Sequence, residues 1–209
     1  MSLFYRRTIL AASLLGVAAL ACGPTEAQEV RRFRFAYDQP LNTGYNIAGN
    51  IFNAKLGELS KKTMVIDQFP GGQLGQEPQL LQMVKNGDVD FIISSTANAS
   101  TITPQAGVMS LHYLFKSEAH LIKSLGSPEL SKAVREMVSE TVQGAQALAV
   151  MTLGLRSMYG KKEVRSADDL KGMKVRVQAT PTEDATFPAY GAQTTHCLLY
   201  TSDAADEGL

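Results

Sequence analysis

The sequence predicts an α/β fold built on a parallel sheet, and three stretches near its start carry that prediction. Arg32-Phe-Arg-Phe-Ala-Tyr37 alternates charged and aromatic residues with period two, the pattern of a strand with one covered face. Apolar residues at helical spacing follow. Thr63-Met-Val-Ile-Asp-Gln-Phe69 then returns to β-rich composition. Two strands joined through a helix favour parallel pairing with a right-handed crossover, because a tight hairpin cannot connect parallel strands.

The elements follow in order. Asn42 or Thr43 can cap a first helix whose Ile47, Ala48, Ile51, Phe52, Leu56 and Leu59 form one apolar stripe. Pro70-Gly-Gly is a turn by its chemistry, and Glu77-Pro78 opens a second helix with an acid and a proline in the first turn. That helix runs through Leu80, Leu81 and Val84 and stops at Asn86-Gly87, where glycine takes the left-handed cap. Asp90-Phe-Ile-Ile-Ser94 is an apolar run suited to a strand covered on both faces, and a polar loop leads on to Thr103-Pro104. Past the short apolar His112–Phe115, Ser117 to Leu125 and Ser127 to Thr141 read as helices, the latter with Leu130, Val134, Met137 and Val138 inward. Gln146 to Met151 reads as a buried strand or crossover, the hinge into a second domain. Beyond it come Ser157 to Gly160 as a strand, Ser166 to Leu170 as a one-turn helix capped by Ser166, Met173 to Val177 as a strand and Thr182 to Tyr190 as a helix.

Composition limits the function classes. The chain has 209 residues with 20 Lys+Arg against 20 Asp+Glu. Between residues 28 and 196 the counts are 18 and 16, a net charge of +2, too small to argue for nucleic acid or an anionic membrane surface. Residues 1–27 carry Arg6 and Arg7, an apolar run from Ile9 to Ala21 and a small, polar end at Thr25-Glu-Ala27, the layout of a secretory signal peptide. The thirteen apolar residues reach about 20 Å, short of the roughly 30 Å hydrocarbon core, so a permanent span is not expected. Export by the general secretory route and by a twin-arginine route both fit Arg6-Arg7. A lipoprotein site at Ala21-Cys22 competes with cleavage after Ala27. The two cysteines, Cys22 and Cys197, lie in the leader and in the last segment, so the folded part must be held by its core alone.

Residues offering catalysis are sparse. His112, His120 and His196 are scattered and lack metal-ligand spacing, no G-x-S-x-G elbow occurs, and neither cysteine has a credible base. Gly71-Gly-Gln-Leu-Gly75-Gln lacks the Lys-Ser/Thr of a P-loop, and Glu77 behind it would repel a phosphate. Neither cofactor nor metal is expected. Arg176 is different. Strand alternation in Lys174-Val-Arg-Val177 places Val175 and Val177 on one face and Lys174, Arg176 and Gln178 on the other, so a guanidinium lining a cleft could grip a carboxylate through two parallel N–H bonds.

The string Phe69-Pro-Gly-Gly-Gln-Leu-Gly75, a helix, then Gly87-Asp-Val-Asp90-Phe, followed by Gly154-Leu-Arg156 and Asp169-Leu-Lys-Gly-Met-Lys-Val-Arg176-Val, resembles the solute-binding proteins of TRAP-type carboxylate transporters, the DctP family, over roughly residues 30 to 195. The resemblance implies a periplasmic-binding-protein-like (type II) two-lobed α/β fold, with residues 28–152 as a first lobe and 153–196 as part of a second. It also implies that Arg176 is the main carboxylate-binding residue, that Arg156 contacts or positions the ligand, and that Asp38, Ser95 and Asn98 supply first-lobe contacts. Asp38 would oppose a carboxylate and suits a hydroxyl better. A sialic-acid ligand is disfavoured, because these are not the Glu and Arg used by members that bind it. The implied function is extracytoplasmic capture of a small organic acid, a mono- or dicarboxylate, for delivery to integral-membrane permease subunits, without catalysis. An ABC-type binding subunit and a secreted enzyme on a similar scaffold are the rivals; the Asp169-Leu-Lys-Gly and Arg176 segment speaks against the first, and product turnover would mark the second. Residues 197–209 continue neither periodicity and resemble translated sequencing-adapter read-through, so the native sequence is expected to end near Thr195 or His196, before the second lobe of such a protein is complete.

Overall fold

In the computed structural model, residues 29–142 and 144–196 are described; the expected signal peptide and the expected non-native tail lie outside them. A three-stranded sheet in the order β2-β1-β3 is built from β1 (Arg31–Ala36), β2 (Met64–Phe69) and β3 (Phe91–Ile92), with both pairings parallel. The chain leaves β1 for β2 on one side and returns to β3 on the other. This reversal makes the C-terminal ends of β1 and β3 a topological switch point, the place where open α/β sheets bind ligands. β3 is short because Asp90 takes over the ladder: its Oδ2 accepts the Arg34 backbone N–H at 2.7 Å.

Helices cover both faces. Helix α1 (Gly44–Leu59) packs on one side, where Tyr45, Phe52 and Leu56 meet Phe33, Phe35, Tyr37, Ile66, Phe91 and Ile93. Helix α2 (Glu77–Asn86) covers the other, where Leu80 and Met83 meet Ala36, Phe69, Val89 and Ile92. The inward stripe of α1 differs from the expected one: Ile47, Ile51 and Leu59 are exposed, while Tyr45, Gly49, Phe52 and Leu56 face the sheet. Polar side chains cause the rotation. Asn53 Oδ1 accepts the Ile66 N–H at 2.9 Å, Asn50 Oδ1 accepts Gln68 Nε2 at 2.7 Å, and Asn46 donates to Gln68 Oε1 at 3.3 Å, which locks the asparagine edge onto β2. A Cβ at Gly49 would lie 2.4 Å from Gln68 Oε1, so glycine permits this approach.

Several expected starts and stops hold. Helix α2 begins at Glu77 and ends at Gly87 with φ 82, and the following α4 (Glu118–Leu125) and α5 (Pro128–Thr141) are capped by Ser117 and Ser127, whose hydroxyls accept the His120 and Leu130 N–H groups. The polar loop after β3 holds the short α3 (Thr96–Ala99) and a 3-10 turn over Pro104–Ser110, neither of which sequence periodicity indicates.

A second, two-stranded parallel sheet pairs β4 (Lys174–Arg176) with β5 (Gln193–Thr195), joined by α6 (Pro181–Ala189). It has its own core of Leu170, Val177, Phe187 and Ala192, flanked by Val164, Met173, Val175 and Tyr190. The one-turn helix before it is a 3-10 turn, Ala167–Leu170, held by Asp169 Oδ2, which accepts the Ser166 N–H at 2.9 Å. The expected strand over Ser157–Gly160 does not form, and Gln146–Met151, expected as a buried strand or crossover, forms no strand either. Gln146–Met151 and Ser157–Gly160 run without helix or ladder, and Leu148, Met151, Met158 and Tyr159 are exposed rather than buried. A strand exists through its neighbours, and among the described residues none runs beside this segment.

Candidate functional site

The switch point at the ends of β1 and β3 is organised by a carboxylate. Glu77, the first residue of α2, is only 2% exposed and gathers a full set of donors. Its Oε1 accepts the Tyr45 hydroxyl at 3.0 Å. Its Oε2 accepts the Ser95 N–H and hydroxyl, each at 2.8 Å, the Asn98 Nδ2 at 2.7 Å and the Ser94 hydroxyl at 3.2 Å. A buried carboxylate needs such saturation, because desolvation otherwise favours its protonation. The fold supplies it from three places: the start of α1, the end of β3 and the first turn of α3, which Ser95 caps by accepting the Asn98 N–H. Burial and the Glu77 charge push the Tyr45 phenol well above its ordinary range.

Asp38 follows β1 and faces Glu77. Burial, and after it the Glu77 charge, push the Asp38 carboxyl from 3.8 up to about 6, while the Gln39 amide at 3.3 Å works in the opposite direction. Two acid groups thus sit together at the switch point. Such a pair accepts hydrogen bonds from hydroxyls and repels a second anion. The glycine turn behind it is structural. The Gly71 N–H donates to Gln39 O at 2.8 Å and the Gly72 N–H to Tyr37 O at 3.2 Å, tying the β2–α2 loop to the end of β1.

Across from this cluster stand Arg156, from the irregular segment ahead of the second sheet, and Gln178, just past β4. Arg156 donates through Nη1 to Glu183 Oε1 at 2.9 Å and through Nη2 to Gln178 Oε1 at 2.8 Å. Gln178 passes the connection on, donating Nε2 to the Ser95 hydroxyl at 3.1 Å. A continuous series of hydrogen bonds therefore runs from Glu183 through Arg156, Gln178 and Ser95 to Glu77. Glu183 is a second buried carboxylate in the first turn of α6, where its N–H donates to the Thr180 hydroxyl at 3.4 Å. His112 completes its surroundings: Nε2 lies 3.8 Å from Glu183 Oε2, Nδ1 is 3.3 Å from the Tyr190 hydroxyl, and the imidazole stacks on Tyr190.

Of the residues expected from sequence, Asp38, Ser95 and Asn98 come together around Glu77, and Arg156 joins them through Gln178. This series of bonds does not run through Arg176. It is exposed at the end of β4, on the strand face that Gln178 shares, and Val175 and Val177 turn to the core on the other face. Glu77, Tyr45, Gln178 and Glu183 were not legible as site residues. The two glutamates read as ordinary first-turn acids that complement a helix dipole, and only the sheet order and the donors brought by other elements give them another role. Among the described residues no group of three or more His, Cys, Asp or Glu could hold a metal ion, and no helix is long and apolar enough to cross a membrane.

The chain matches the family model described as bacterial extracellular solute-binding protein, family 7 (DctP), over residues 35–197. It is 27% identical over 181 residues to the 2,3-diketo-L-gulonate-binding periplasmic protein of Escherichia coli K12, covering 85% of this chain and 54% of that protein. It is 28% identical over 161 residues to the C4-dicarboxylate-binding protein of Bacillus subtilis, covering 77% and 45%. Among solved structures, a TRAP periplasmic solute-binding protein from Xanthobacter autotrophicus with bound β-D-galacturonate superposes with a TM-score of 0.76 at 28% identity, covering 83% of this chain and 58% of that one. One from Pseudomonas putida F1 with bound D-glucuronate gives 0.75 at 28% identity, covering 80% and 54%. The chain thus spans about half the length of the curated relatives it matches. These relatives have the type II two-lobed fold, which accounts for the two separate parallel sheets here.

Proposed function

The chain belongs to the bacterial extracellular solute-binding proteins of family 7, and on that premise we propose that it captures a small organic acid outside the cytoplasm and delivers it to integral-membrane permease subunits, without catalysing a reaction. One observation carries this reading: Gln178, just past β4, is bonded to Ser95, just past β3, and to Arg156, so that the C-terminal ends of the two parallel sheets meet with acids and hydroxyls on one side and an arginine on the other. In this proposal residues 28–152 form the first lobe and 153–196 belong to the second, a division that the separate core around Leu170, Val177 and Phe187 supports.

The roles follow from the chemistry. Arg176 grips the ligand carboxylate with its planar fork, which a lysine cannot reproduce. Arg156, already held by Glu183 and Gln178, positions the acid or adds a further N–H. Asp38 takes ligand hydroxyls, Ser95 and Asn98 hold the crevice around Glu77, and Ser95 carries the link to the second lobe. Contacts from both lobes are made together only when the crevice is closed, so the ligand shifts an open–closed equilibrium by its differential affinity. Relatives that carry uronates and one named for C4-dicarboxylates support an acid ligand and leave mono- and dicarboxylates as the two classes.

The test is titration calorimetry, with D-glucuronate and succinate, on the chain completed through its second lobe. Arg176→Ala and Arg176→Lys are expected to lose most of the affinity, roughly a hundred-fold or more if two charge-assisted bonds are removed, with little change in fold. Wild-type affinity in Arg176→Ala would refute the clamp.

A further inference from the structure

Gln178 is placed by one sheet and bonded to the other. Its backbone belongs with the second sheet: the preceding Val177 is buried in that core and donates its N–H to Thr195 O at 3.0 Å, and Gln178 O accepts the Thr180 N–H at 2.8 Å. Its side chain leaves that core. Oε1 accepts Arg156 Nη2 at 2.8 Å, and Nε2 donates at 3.1 Å to the hydroxyl of Ser95, 83 positions away and just past β3.

Chemistry fixes the direction of every bond in this series. A guanidinium only donates, so the amide oxygen of Gln178 must face Arg156 and its nitrogen must face Ser95. The one hydroxyl proton of Ser95 goes to Glu77 Oε2 at 2.8 Å, and the same oxygen accepts from the Asn98 N–H at 3.2 Å and from Gln178. The series therefore runs one way from a cation to a buried carboxylate, and both ends polarise the amide in the same sense. A glutamate at 178 would set an oxygen against Ser95 Oγ and could be held only by taking the hydroxyl proton from Glu77. It would also bring a third acid to Asp38 and Glu77. All the groups of the series belong to the chain, so the bond between the two halves needs no ligand to form. His112 meets the second core separately, through the rings of Phe187 and Tyr190, so loss of Gln178 would relax the closure without parting the halves altogether.

We propose that Gln178 is a latch whose amide closes the second lobe onto the first before a ligand binds, so that part of the ligand-free population is already in the binding-competent form. The proposal rests on two-lobed capture as the function and adds what sets the affinity. Apparent affinity is the intrinsic affinity scaled by the competent fraction. A latch therefore strengthens the binding of every ligand by the same factor, whereas a residue that touches the ligand favours some ligands over others.

The test uses the chain completed through its second lobe, with spin labels at Ile51→Cys on α1 and Asp168→Cys ahead of β4, two exposed positions in different halves. Without ligand, the distance distribution is expected to hold a short component that Gln178→Glu depletes. This variant still accepts from Arg156 and loses the bond to Ser95, so its effect reads the latch and not the support of Arg156. In calorimetry on the unlabelled protein, Gln178→Ala should weaken D-glucuronate and succinate alike, about five-fold each. Identical distributions in wild type and a folded Gln178→Glu overturn the latch, and Gln178→Ala carries the same comparison if the added charge unfolds the protein. A loss several-fold greater for one acid than for the other also overturns it, because that marks a ligand contact. So does a Gln178→Ala that fails to fold, because the amide is then a support of the structure. If the wild-type protein binds neither acid, the capture of organic acids falls, and the distance distributions still decide the latch.

Discussion

The two sheets solve one problem in two ways. Each begins a helix at its crevice edge with a glutamate that is 2% exposed, Glu77 on α2 and Glu183 on α6. Glu77 is satisfied by five hydrogen bonds from neutral groups of Tyr45, Ser94, Ser95 and Asn98. Glu183 is satisfied by a cation, Arg156. Neutral donors leave the charge of Glu77 acting on its surroundings, and burial of Asp38, with the Glu77 charge second, makes Asp38 hold its proton to higher pH. A guanidinium quenches the charge of Glu183 at once, and the cost is an arginine with less to offer a ligand. What decides the character of each half is therefore the partner of the buried acid, and not the acid.

Three experiments sharpen that contrast, and the largest effect is expected at Glu77. Glu77→Ala strands the buried donors of Asn98, Ser95 and Tyr45 together and should cost about 3 kcal/mol or more in a denaturant titration, since each unsatisfied buried group carries its own desolvation penalty. A loss below about 1 kcal/mol would show that water replaces the carboxylate at little cost.

Arg156→Ala should cost less, roughly 1 to 2 kcal/mol, because the guanidinium is largely solvated although its partner is not. The damage lies in leaving Glu183 buried and unpaired. Adding Glu183→Gln to Arg156→Ala should therefore recover most of the loss, the opposite of what additive contributions would give. Failure of the double variant to recover would mean that the Arg156 stem, and not its charge, supports the fold.

The smallest effect concerns pH. With Asp38 raised from 3.8 to about 6, the folded chain holds a proton that the unfolded chain has released over that window. Stability contributed by this group is thus full below pH about 4, falls as pH rises through about 6 and is flat above. Asp38→Asn should flatten that slope and raise the melting temperature above pH 6 relative to wild type. Parallel melting curves for the two proteins from pH 4 to 7 would contradict the raised Asp38 carboxyl, and with it the burial and the Glu77 charge that raise it.

Most of the elements were legible because their signals are local. Ser117 and Ser127 cap the helices that follow them, Gly87 ends α2, and the alternation in Lys174-Val-Arg-Val177 does turn the valines to the core and set Arg176 and Gln178 on one face. The misreadings arose where a distant partner outvoted the local pattern. Helix α1 turned Ile47 and Ile51 outward because Asn50 and Asn53 bond to β2. The strand β5, only Gln193-Thr-Thr195, shows no apolar pattern and exists through its pairing with β4. Gln146–Met151 has the composition of a strand and, among the described residues, no neighbour to make it one.

By itself the sequence determined the α/β class, the strand–helix alternation of the first sheet, the caps, and a family resemblance anchored on Gly71–Gly75 and on Asp169 to Val177. Each of these is encoded within a few residues, where backbone preference and side-chain period act directly. Only the tertiary structure decided that β1 lies between β2 and β3, that Glu77 meets Asn98 from 21 positions away and that Gln178 reaches Ser95 across 83. Contacts at such separations depend on how the sheets are ordered and on which buried group most needs a partner, and both are settled by the desolvation cost of burying a charge.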